Sequence, residues 1–326
     1  MAKDRSTVWS GFWARLFASI IDFIVLGVIC NAVGWLAPDF AVSLGSNGRF
    51  FGLGLGILYF SVTASGLLGG RSIGMRFLGL KVVGLNGKPL GLPAAFGRAV
   101  LLVGPLLLNG WSFPVRNPNL AYGLDVLAFV AVFGVCLAQI YLLLFNAPTR
   151  RLVHDLVFGS VVVRAKAADY DVPKVRAHAV VAAVLVLGAL GLALAGPSLV
   201  KPWVAKIQSA TAPQEHVRDA VNAALPEVID TGVTDNTNTF YSGSGPAQVT
   251  RTLIVTAWVR KWPANVALEQ ARIGAVAVKS YHFAPGQLLT IKVAYGFDLG
   301  LGSYNRAEGD QFSTQCTTPD VKCLAK

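Results

Sequence analysis

Charged residues are scarce in this chain. They make up 14% of its 326 residues, whereas soluble domains carry about 25%. Acidic residues are the scarcest, because residues 1–200 hold 7 Asp and Glu against 16 Lys and Arg. Residues 201–326 hold 10 and 12, the balance of an ordinary soluble domain that is long enough for one core. The composition therefore predicts a membrane region followed by a soluble domain.

The sequence also lacks the motifs of known chemistry. It has no nucleophile elbow, no His/Glu zinc motif and no phosphate loop. Cys316 and Cys323 have no nearby His, so they make a poor zinc set. We therefore predict no enzyme activity, no catalytic residue, no bound metal and no cofactor. The net charge of +11 does not predict a nucleic-acid partner, because the excess flanks apolar runs, where basic residues set membrane topology.

Apolar runs are abundant, and five of them predict membrane-spanning helices. A helix needs roughly 20 apolar residues to cross a hydrocarbon core of about 30 Å. The third run is marginal in length, and Arg98 at its start is expected to extend to the interface. The five runs cover residues 16–38, 50–70, 99–115, 126–149 and 177–200.

Basic residues predict the orientation of these helices. If the run 99–115 crosses the bilayer, 14 of the 16 Lys and Arg of residues 1–200 share one face, and only Arg49 and Arg116 lie opposite. If it does not cross, this asymmetry is lost. The positive-inside rule therefore predicts five crossings, with the N-terminus in the cytoplasm and residues 201–326 outside.

The last two cysteines agree with an exported domain. Cys316 and Cys323 are separated by six residues in a polar tail, and a disulfide that closes such a short loop persists in oxidising compartments. We predict that they form this disulfide.

A carboxylate inside the first apolar run is the main functional candidate. Asp22 is costly in lipid, so we expect it to face the interior of the helix bundle and to find a partner. Arg15 lies seven residues earlier on the same helical face, about 10 Å away along the axis. Asp155, just after the fourth run, is the next candidate member of this polar set.

Two segments that follow apolar runs resemble each other at a spacing of 80 residues. Each has an arginine, a short amphipathic stretch, a glycine and a valine pair. The pattern predicts two short cytoplasmic strands that can pair, the first ended by the turn former Asn86–Gly87. The matching positions are Arg71 and Arg151, Gly79 and Gly159, and Val82-Val83 and Val162-Val163.

Three sequence blocks resemble the RDD family of bacterial membrane proteins, over about residues 8–166. The first block is Ala-Arg-Leu-Phe-Ala-Ser-Ile-Ile-Asp at 14–22, and the second is Gly-Arg-Ser-Ile-Gly-Met-Arg-Phe-Leu-Gly at 70–79 with Phe-Gly-Arg at 96–98. The third is Arg-Leu-Val-His-Asp at 151–155 with Gly-Ser-Val-Val-Val at 159–163. Ser160 stands where many members carry Thr. The fifth apolar run and the C-terminal domain lie outside the family pattern.

The resemblance assigns the arginine and two aspartates that name the family to Arg15, Asp22 and Asp155. Arg71, Arg151 and His154 are candidates to support this set, although a surface histidine at the membrane interface is the commoner case for a residue such as His154. The resemblance implies either a cation/proton antiporter or an accessory partner of membrane enzymes. An intramembrane Arg/Asp/Asp set is a proton or cation path in the first case and a structural clamp in the second.

The predicted fold class is an all-α polytopic membrane bundle with short cytoplasmic strands, followed by a small extracytoplasmic α+β domain. We expect an RDD-like region at 1–176, a further membrane helix at 177–200 and the exported domain at 201–326. In that domain the pattern predicts helices at 214–225 and 265–279, a polar loop at 231–245, and an antiparallel sheet from strands near 248–262, 288–297 and 300–312.

The predicted function is non-enzymatic: an accessory, scaffold or sensor protein of the bacterial inner membrane. Its partners would be the lipid bilayer and a membrane or extracytoplasmic protein. The alternative is a secondary transporter coupled to protons or monovalent cations.

Overall fold

The fold is taken from a computed structural model, which describes residues 8–107, 118–167, 172, 176–240 and 248–324. Contacts divide the chain into two compact units. The first holds residues 1–30, 49–200 and 300–302, and the second holds residues 31–48, 201–299 and 303–326. We describe each unit by itself.

Apolar helices dominate the first unit and coincide with the five apolar runs. Three are long and apolar enough to cross a membrane: Phe12–Leu36, Tyr122–Phe145 and Ala177–Gly196. Two are shorter, Gly48–Ala64 and Leu92–Leu106. The last part of the third run, residues 108–115, lies outside the described residues. At 1.5 Å per residue the helix Gly48–Ala64, with 17 residues, reaches about 26 Å.

Eleven α-helices and β-strands follow one another along residues 12–224 of the described chain. Helix α1 continues into the short helix α2 of the second unit. The fourth run is one rod in which α6 and α7 flank a π-helical stretch at Val130–Val135. The elements are α1 (Phe12–Leu36), α2 (Pro38–Ser43), α3 (Gly48–Ala64), α4 (Ile73–Phe77), β1 (Leu80–Gly84), α5 (Leu92–Leu107), α6 (Pro118–Phe129), α7 (Cys136–Phe145), α8 (Val153–Val157), β2 (Ser160–Arg164) and α9 (Arg176–Ala224).

The predicted 80-residue repeat is a structural repeat. In each copy a five-residue helix is followed by a glycine with positive φ and a five-residue strand, α4–Gly79–β1 and α8–Gly159–β2. The two strands pair antiparallel, with Val82 opposite Val162, which confirms the predicted pairing. A positive φ strains residues that have a Cβ, so glycine at 79 and 159 lets each helix turn directly into its strand.

Close helix packing in this unit depends on glycines. A Cβ at Gly74 would lie 2.1 Å from the carbonyl oxygen of Ala18, so α4 contacts the backbone of α1 directly. Gly56 of α3 similarly faces Val103 of α5. Small residues of this kind permit the approach of helices in membranes.

The second unit is an α+β domain. Its four-stranded sheet has the order β3–β4–β5–β6, and α10 makes the crossover between the parallel neighbours β4 and β5. The other neighbours are antiparallel. The elements are β3 (Val228–Phe240), β4 (Gln248–Val259), α10 (Val266–Ser280), β5 (Leu288–Asp298) and β6 (Ser303–Phe312).

The sequence prediction of this domain needs two corrections. Residues 231–240 are part of strand β3 rather than a loop, and residues 241–245 lie outside the described part. The sheet is mixed rather than antiparallel, because α10 connects parallel strands. The predicted helix 214–225 is present as the end of α9, which is continuous with the fifth apolar run.

The core of the domain lies between the sheet and its helices. Val217 and Val221 of α9 are fully buried there, as their i, i+4 spacing predicts. Alternate residues of β4 and β5, among them Leu253 and Ile291, point into the same core. The predicted disulfide between Cys316 and Cys323 is present, and both cysteines contact this core. The disulfide thus holds the C-terminal tail against the domain.

Candidate functional site

The carboxylate of Asp155 forms the centre of the larger polar cluster. Asp155 is the third residue of α8 and is fully buried. Its Oδ2 accepts a hydrogen bond from the backbone N–H of Leu152 (3.3 Å), so it caps the start of its own helix. Ser160, the first residue of β2, donates its hydroxyl to Oδ1 at 2.8 Å. The carboxylate therefore connects α8 to the strand that follows it.

Two arginines from distant helices neutralise this carboxylate. Arg98 Nε of α5 lies 3.0 Å from Asp155 Oδ1, and Arg15 Nη1 of α1 lies 3.3 Å from Oδ2. Both side chains are at least nine-tenths buried. A buried ion pair stabilises only when further hydrogen bonds satisfy its remaining groups, and here both oxygens have several donors.

Arg15 satisfies its remaining N–H groups with a serine hydroxyl and three backbone oxygens. Arg150, which follows α7, has a positive φ of 48°, and the carbonyl groups around it face Arg15. The guanidinium therefore fastens the end of the fourth apolar run and strand β2 to α1. The acceptors are Ser10 Oγ and the carbonyl oxygens of Thr149, Arg150 and Val162, at 2.6, 2.8, 2.8 and 3.3 Å.

His154 is part of this cluster and is not a surface residue, since it is 1% exposed. Its Nε2 lies 3.2 Å from Arg98 Nη2, which has only hydrogens to offer, so Nε2 must be the accepting nitrogen. Nδ1 then carries the proton and donates to Gln139 Oε1 at 2.8 Å. Gln139 in turn donates to the carbonyl oxygen of Leu101. The chain of bonds fixes a neutral imidazole between α5 and α7.

The charges of the cluster follow from these neighbours. Burial alone would raise the pKa of Asp155, but Arg98, with smaller contributions from His154, Arg15 and the Ser160 hydroxyl, holds that pKa well below its usual range. Burial lowers the pKa of His154 to about 3, so the imidazole is neutral near pH 7. The favourable charges on Asp155 at that pH are therefore the two guanidinium groups.

Asp22 forms a second and separate cluster. It is 1% exposed, and its oxygens accept from Ser72 Oγ (2.5 Å), Tyr59 Oη (2.6 Å) and the backbone N–H of Gly74 (2.8 Å). Ser72 Oγ and Tyr59 Oη also accept backbone N–H groups of α4, from Met75 and Ile73, so their own protons point at Asp22. The carboxylate of α1 thus binds the N-terminus of α4.

The predicted set of Arg15, Asp22 and Asp155 is therefore divided. Arg15 and Asp155 are in contact, whereas Asp22 shares no hydrogen-bond partner with either among the residues that the structure describes. Of the candidate supports, His154 lies beside Asp155, and Arg151 donates to the carbonyl oxygens of Asp155 and Ser160.

Arg71 does not join either cluster. Its side chain makes no hydrogen bond or ion pair with the residues that the structure describes, and it is half-buried. Arg71 thus has the same position in the repeat as Arg151 but does not make the same contacts. In the first copy of the repeat, the buried carboxylate comes from Asp22 of α1 and not from the short helix of the repeat itself.

Sequence reasoning missed four side chains of these clusters. Arg98 was expected at the interface, but it is 3% exposed and turns inward to Asp155; a basic residue at the start of an apolar run was the available signal. The others are neutral polar residues, which carry no distinctive spacing: Ser160, Tyr59 and Ser72. Gln139, a polar residue inside the fourth apolar run, is a predictable interhelical hydrogen-bond former, and it donates to Leu101 of α5.

Neither cluster resembles a metal centre. Among the described residues, no group of three His, Cys, Asp or Glu side chains lies close enough to hold a metal ion. What the two clusters do, physically, is connect helices: the Asp155 cluster joins α1, α5, α7, α8 and β2, and the Asp22 cluster joins α1, α3 and α4.

Comparison with known proteins agrees with this picture. The model of the RDD family matches residues 9–159, the region that contains both carboxylates. The uncharacterized protein YckC of Bacillus subtilis (strain 168) is 25% identical over 162 residues, which cover 50% of this chain and 89% of YckC. No solved structure matches the chain. Residues 9–159 are therefore similar to the RDD family, and the described part of the chain adds to this region a further apolar helix and a C-terminal domain.

Proposed function

We propose that this protein is a non-enzymatic membrane protein of the bacterial inner membrane that presents its C-terminal domain as a scaffold or sensor for a protein partner. In this proposal the Arg/Asp/Asp residues act as clamps that hold the helix bundle. The supporting observation is that the oxygens of Asp22 and Asp155 are both occupied by several hydrogen-bond donors from neighbouring elements. A carboxylate that carries ions must exchange its partners as access alternates.

An extracytoplasmic position of the domain is part of the proposal. Five apolar helices at the predicted runs support an odd number of crossings, and the basic residues of the membrane half favour a cytoplasmic N-terminus. The disulfide Cys316–Cys323 supports an oxidising compartment.

Transport remains a second candidate because of one feature of Asp22. Its hydrogen-bond donors in the described part of the chain are all neutral: a serine, a tyrosine and a backbone N–H. A buried carboxylate without a bound arginine is the group that a proton- or cation-coupled carrier would use. Asp155, which is paired with two arginines, is the weaker candidate for that role.

Protease added to intact spheroplasts tests the topology. The proposal predicts that residues beyond α9 are digested from outside while the N-terminus is protected. Digestion of the domain only after lysis would place it in the cytoplasm and contradict the proposal.

Two further assays separate a scaffold from a carrier. Purified protein in liposomes should show no proton or monovalent-cation flux above empty liposomes, and a photo-cross-linker at the exposed Val249 of β4 should give a discrete protein adduct in cells. A cross-linker at Phe17 of α1, half exposed on an apolar helix, is the control for lipid contact. Flux that Asp22→Asn abolishes would establish the transporter instead.

A further inference from the structure

A cavity of about 330 Å³ opens at one end of the sheet in the second unit. It lies where β4 ends and where β5 turns into β6, and a volume of this size is at the lower end of small-molecule sites, which span roughly 300–1,000 Å³. The cavity is lined by Val42, Gly45, Ile229, Asp230, Trp258, Val259, Gly296, Phe297, Asp298, Ser303, Tyr304 and Asn305.

Aromatic rings form part of this lining. Trp258, Phe297 and Tyr304 all border the cavity, and the rings of Phe297 and Tyr304 have centroids 6.3 Å apart. The ring of Trp35 also packs on Tyr304, with centroids 4.8 Å apart. The faces of aromatic rings carry partial negative charge, which attracts cations.

A carboxylate lies beside the indole. Asp230 of β3 and Trp258 of β4 are directly opposite in the antiparallel register, so their side chains are on the same face of the sheet, with Cβ atoms about 5 Å apart. Asp230 Oδ1 accepts a hydrogen bond from the N–H of Thr231 at 2.8 Å, which steadies the carboxylate near the ring. Asp298 is a second acidic residue of the lining.

None of the described residues that line the cavity is basic, although the chain as a whole carries a net charge of +11. The carboxylate of Asp230 would repel an anion. A ligand with a positively charged nitrogen interacts favourably with Asp230 and with the aromatic rings.

We propose that this cavity binds an organic ammonium ion, a primary or quaternary amine of the size of ethanolamine or choline. Val42 and Gly45 belong to the segment that connects the apolar helices α1 and α3, so the amine can come from a phospholipid headgroup or from a free solute. The amine would be the ligand that the domain senses in the function proposed above. Only this biological meaning of the binding rests on the proposed function.

Calorimetric titration of the purified full-length protein in phosphatidylglycerol nanodiscs tests the binding. Choline or ethanolamine should bind, and 3,3-dimethyl-1-butanol, the uncharged analogue of choline, should bind at least about tenfold more weakly. Asp230→Asn and Trp258→Leu should each weaken binding about tenfold, while Trp258→Phe should keep most of it. Asp310→Asn, an exposed carboxylate of β6 outside the cavity, is the matched control and should bind like the parent protein.

A second set of nanodiscs distinguishes the two sources of the amine. If a lipid headgroup is the ligand, phosphatidylethanolamine in the nanodisc will compete with added ethanolamine; if a free amine is the ligand, the lipid will have no effect. Either result supports an ammonium site. The proposal is overturned if neither amine binds below about 10 mM, if the uncharged analogue binds equally well, or if Asp230→Asn leaves binding unchanged.

This titration is independent of the proposed function. If the domain binds amines but is digested only after lysis, the ammonium site is supported and the extracytoplasmic position is contradicted. If the domain is digested from outside but binds no amine, the extracytoplasmic position is supported and the ammonium site is contradicted.

Discussion

The two buried carboxylates occupy comparable places in the two copies of the repeat and are held by different chemistry. Each lies at the N-terminus of a five-residue helix that turns through a glycine into a strand. Asp155 belongs to its own helix and pairs with two guanidinium groups. Asp22 comes from another helix, and its hydrogen-bond donors among the described residues are neutral.

This difference indicates that the Asp155 cluster depends on paired charges for its stability and that the Asp22 cluster does not. Removing Asp155 leaves two arginines buried without their counter-ion, whereas removing Asp22 leaves only neutral donors unpaired. Buried unpaired charge is the more costly of the two conditions. The two clusters should therefore respond differently to substitution and to pH.

The largest effect is expected for Asp155→Ala. It leaves Arg15 and Arg98 without an acidic partner, and breaking a buried ion pair costs about 3 to 5 kcal/mol. The free energy of unfolding in detergent measures this loss. Asp39→Ala, at an exposed aspartate, is the control and should change stability little; an equal effect of the two substitutions would show that the ion pair does not hold the fold.

A smaller effect is expected for Asp22→Asn. The new amide hydrogens face groups that already point their own hydrogens at this position, so at least one donor is left unpaired, at about 2 kcal/mol. The same unfolding measurement applies. A loss as large as that of Asp155→Ala would mean that Asp22 balances a charge, which the neutral donors do not predict.

Gly74→Ala tests how α4 is seated against α1. The added Cβ would lie 2.1 Å from the carbonyl oxygen of Ala18, so a backbone must shift; overpacking costs about 1 to 3 kcal/mol, partly offset by the better helix propensity of Ala. Gly54→Ala, with no atom within 4 Å of the added Cβ, is the helical control. Equal stability of the two variants would contradict the close contact.

The pH dependence should come from the Asp155 cluster. The pKa of His154 is lowered to about 3 in the folded protein by burial, so the unfolded chain binds a proton near pH 6.5 that the folded chain does not. Stability should therefore fall as the pH drops below 6.5, by at most about 1.4 kcal/mol per pH unit for this one group. His154→Gln should flatten the slope between pH 6 and 4, as measured by urea unfolding; an unchanged slope would mean that the imidazole is not buried in neutral form.

Much of the membrane half could be predicted because its signals are strong. Long apolar runs, the 80-residue repeat and the three motif blocks placed the helices, the β1–β2 pair and the residues Arg15 and Asp155. The division of the polar set could not be predicted. The choice between Asp22 and Asp155 as the partner of Arg15 depends on how the helices pack, and sequence spacing does not report that.

The C-terminal domain was less predictable in its polar parts. Strand β3 is rich in Thr, Asn and Asp and lies at the edge of the sheet, where polar residues are tolerated. Its composition is therefore that of a loop, and only the pairing with β4 makes it a strand. The parallel step from β4 to β5 likewise follows from the packing of α10, although the order strand, helix, strand indicated it.

A double-mutant cycle tests most directly whether the family residues form two separate clamps. Asp22→Asn is combined with Ser160→Ala, which removes a donor of Asp155, and the free energies of unfolding of the single and double variants are compared. We predict that the losses add within about 0.5 kcal/mol, while Asp22→Asn combined with Ser72→Ala, a contacting pair, shows coupling. Coupling of about 1 kcal/mol or more between Asp22 and Ser160 would contradict the account, because it would make the three residues one connected site.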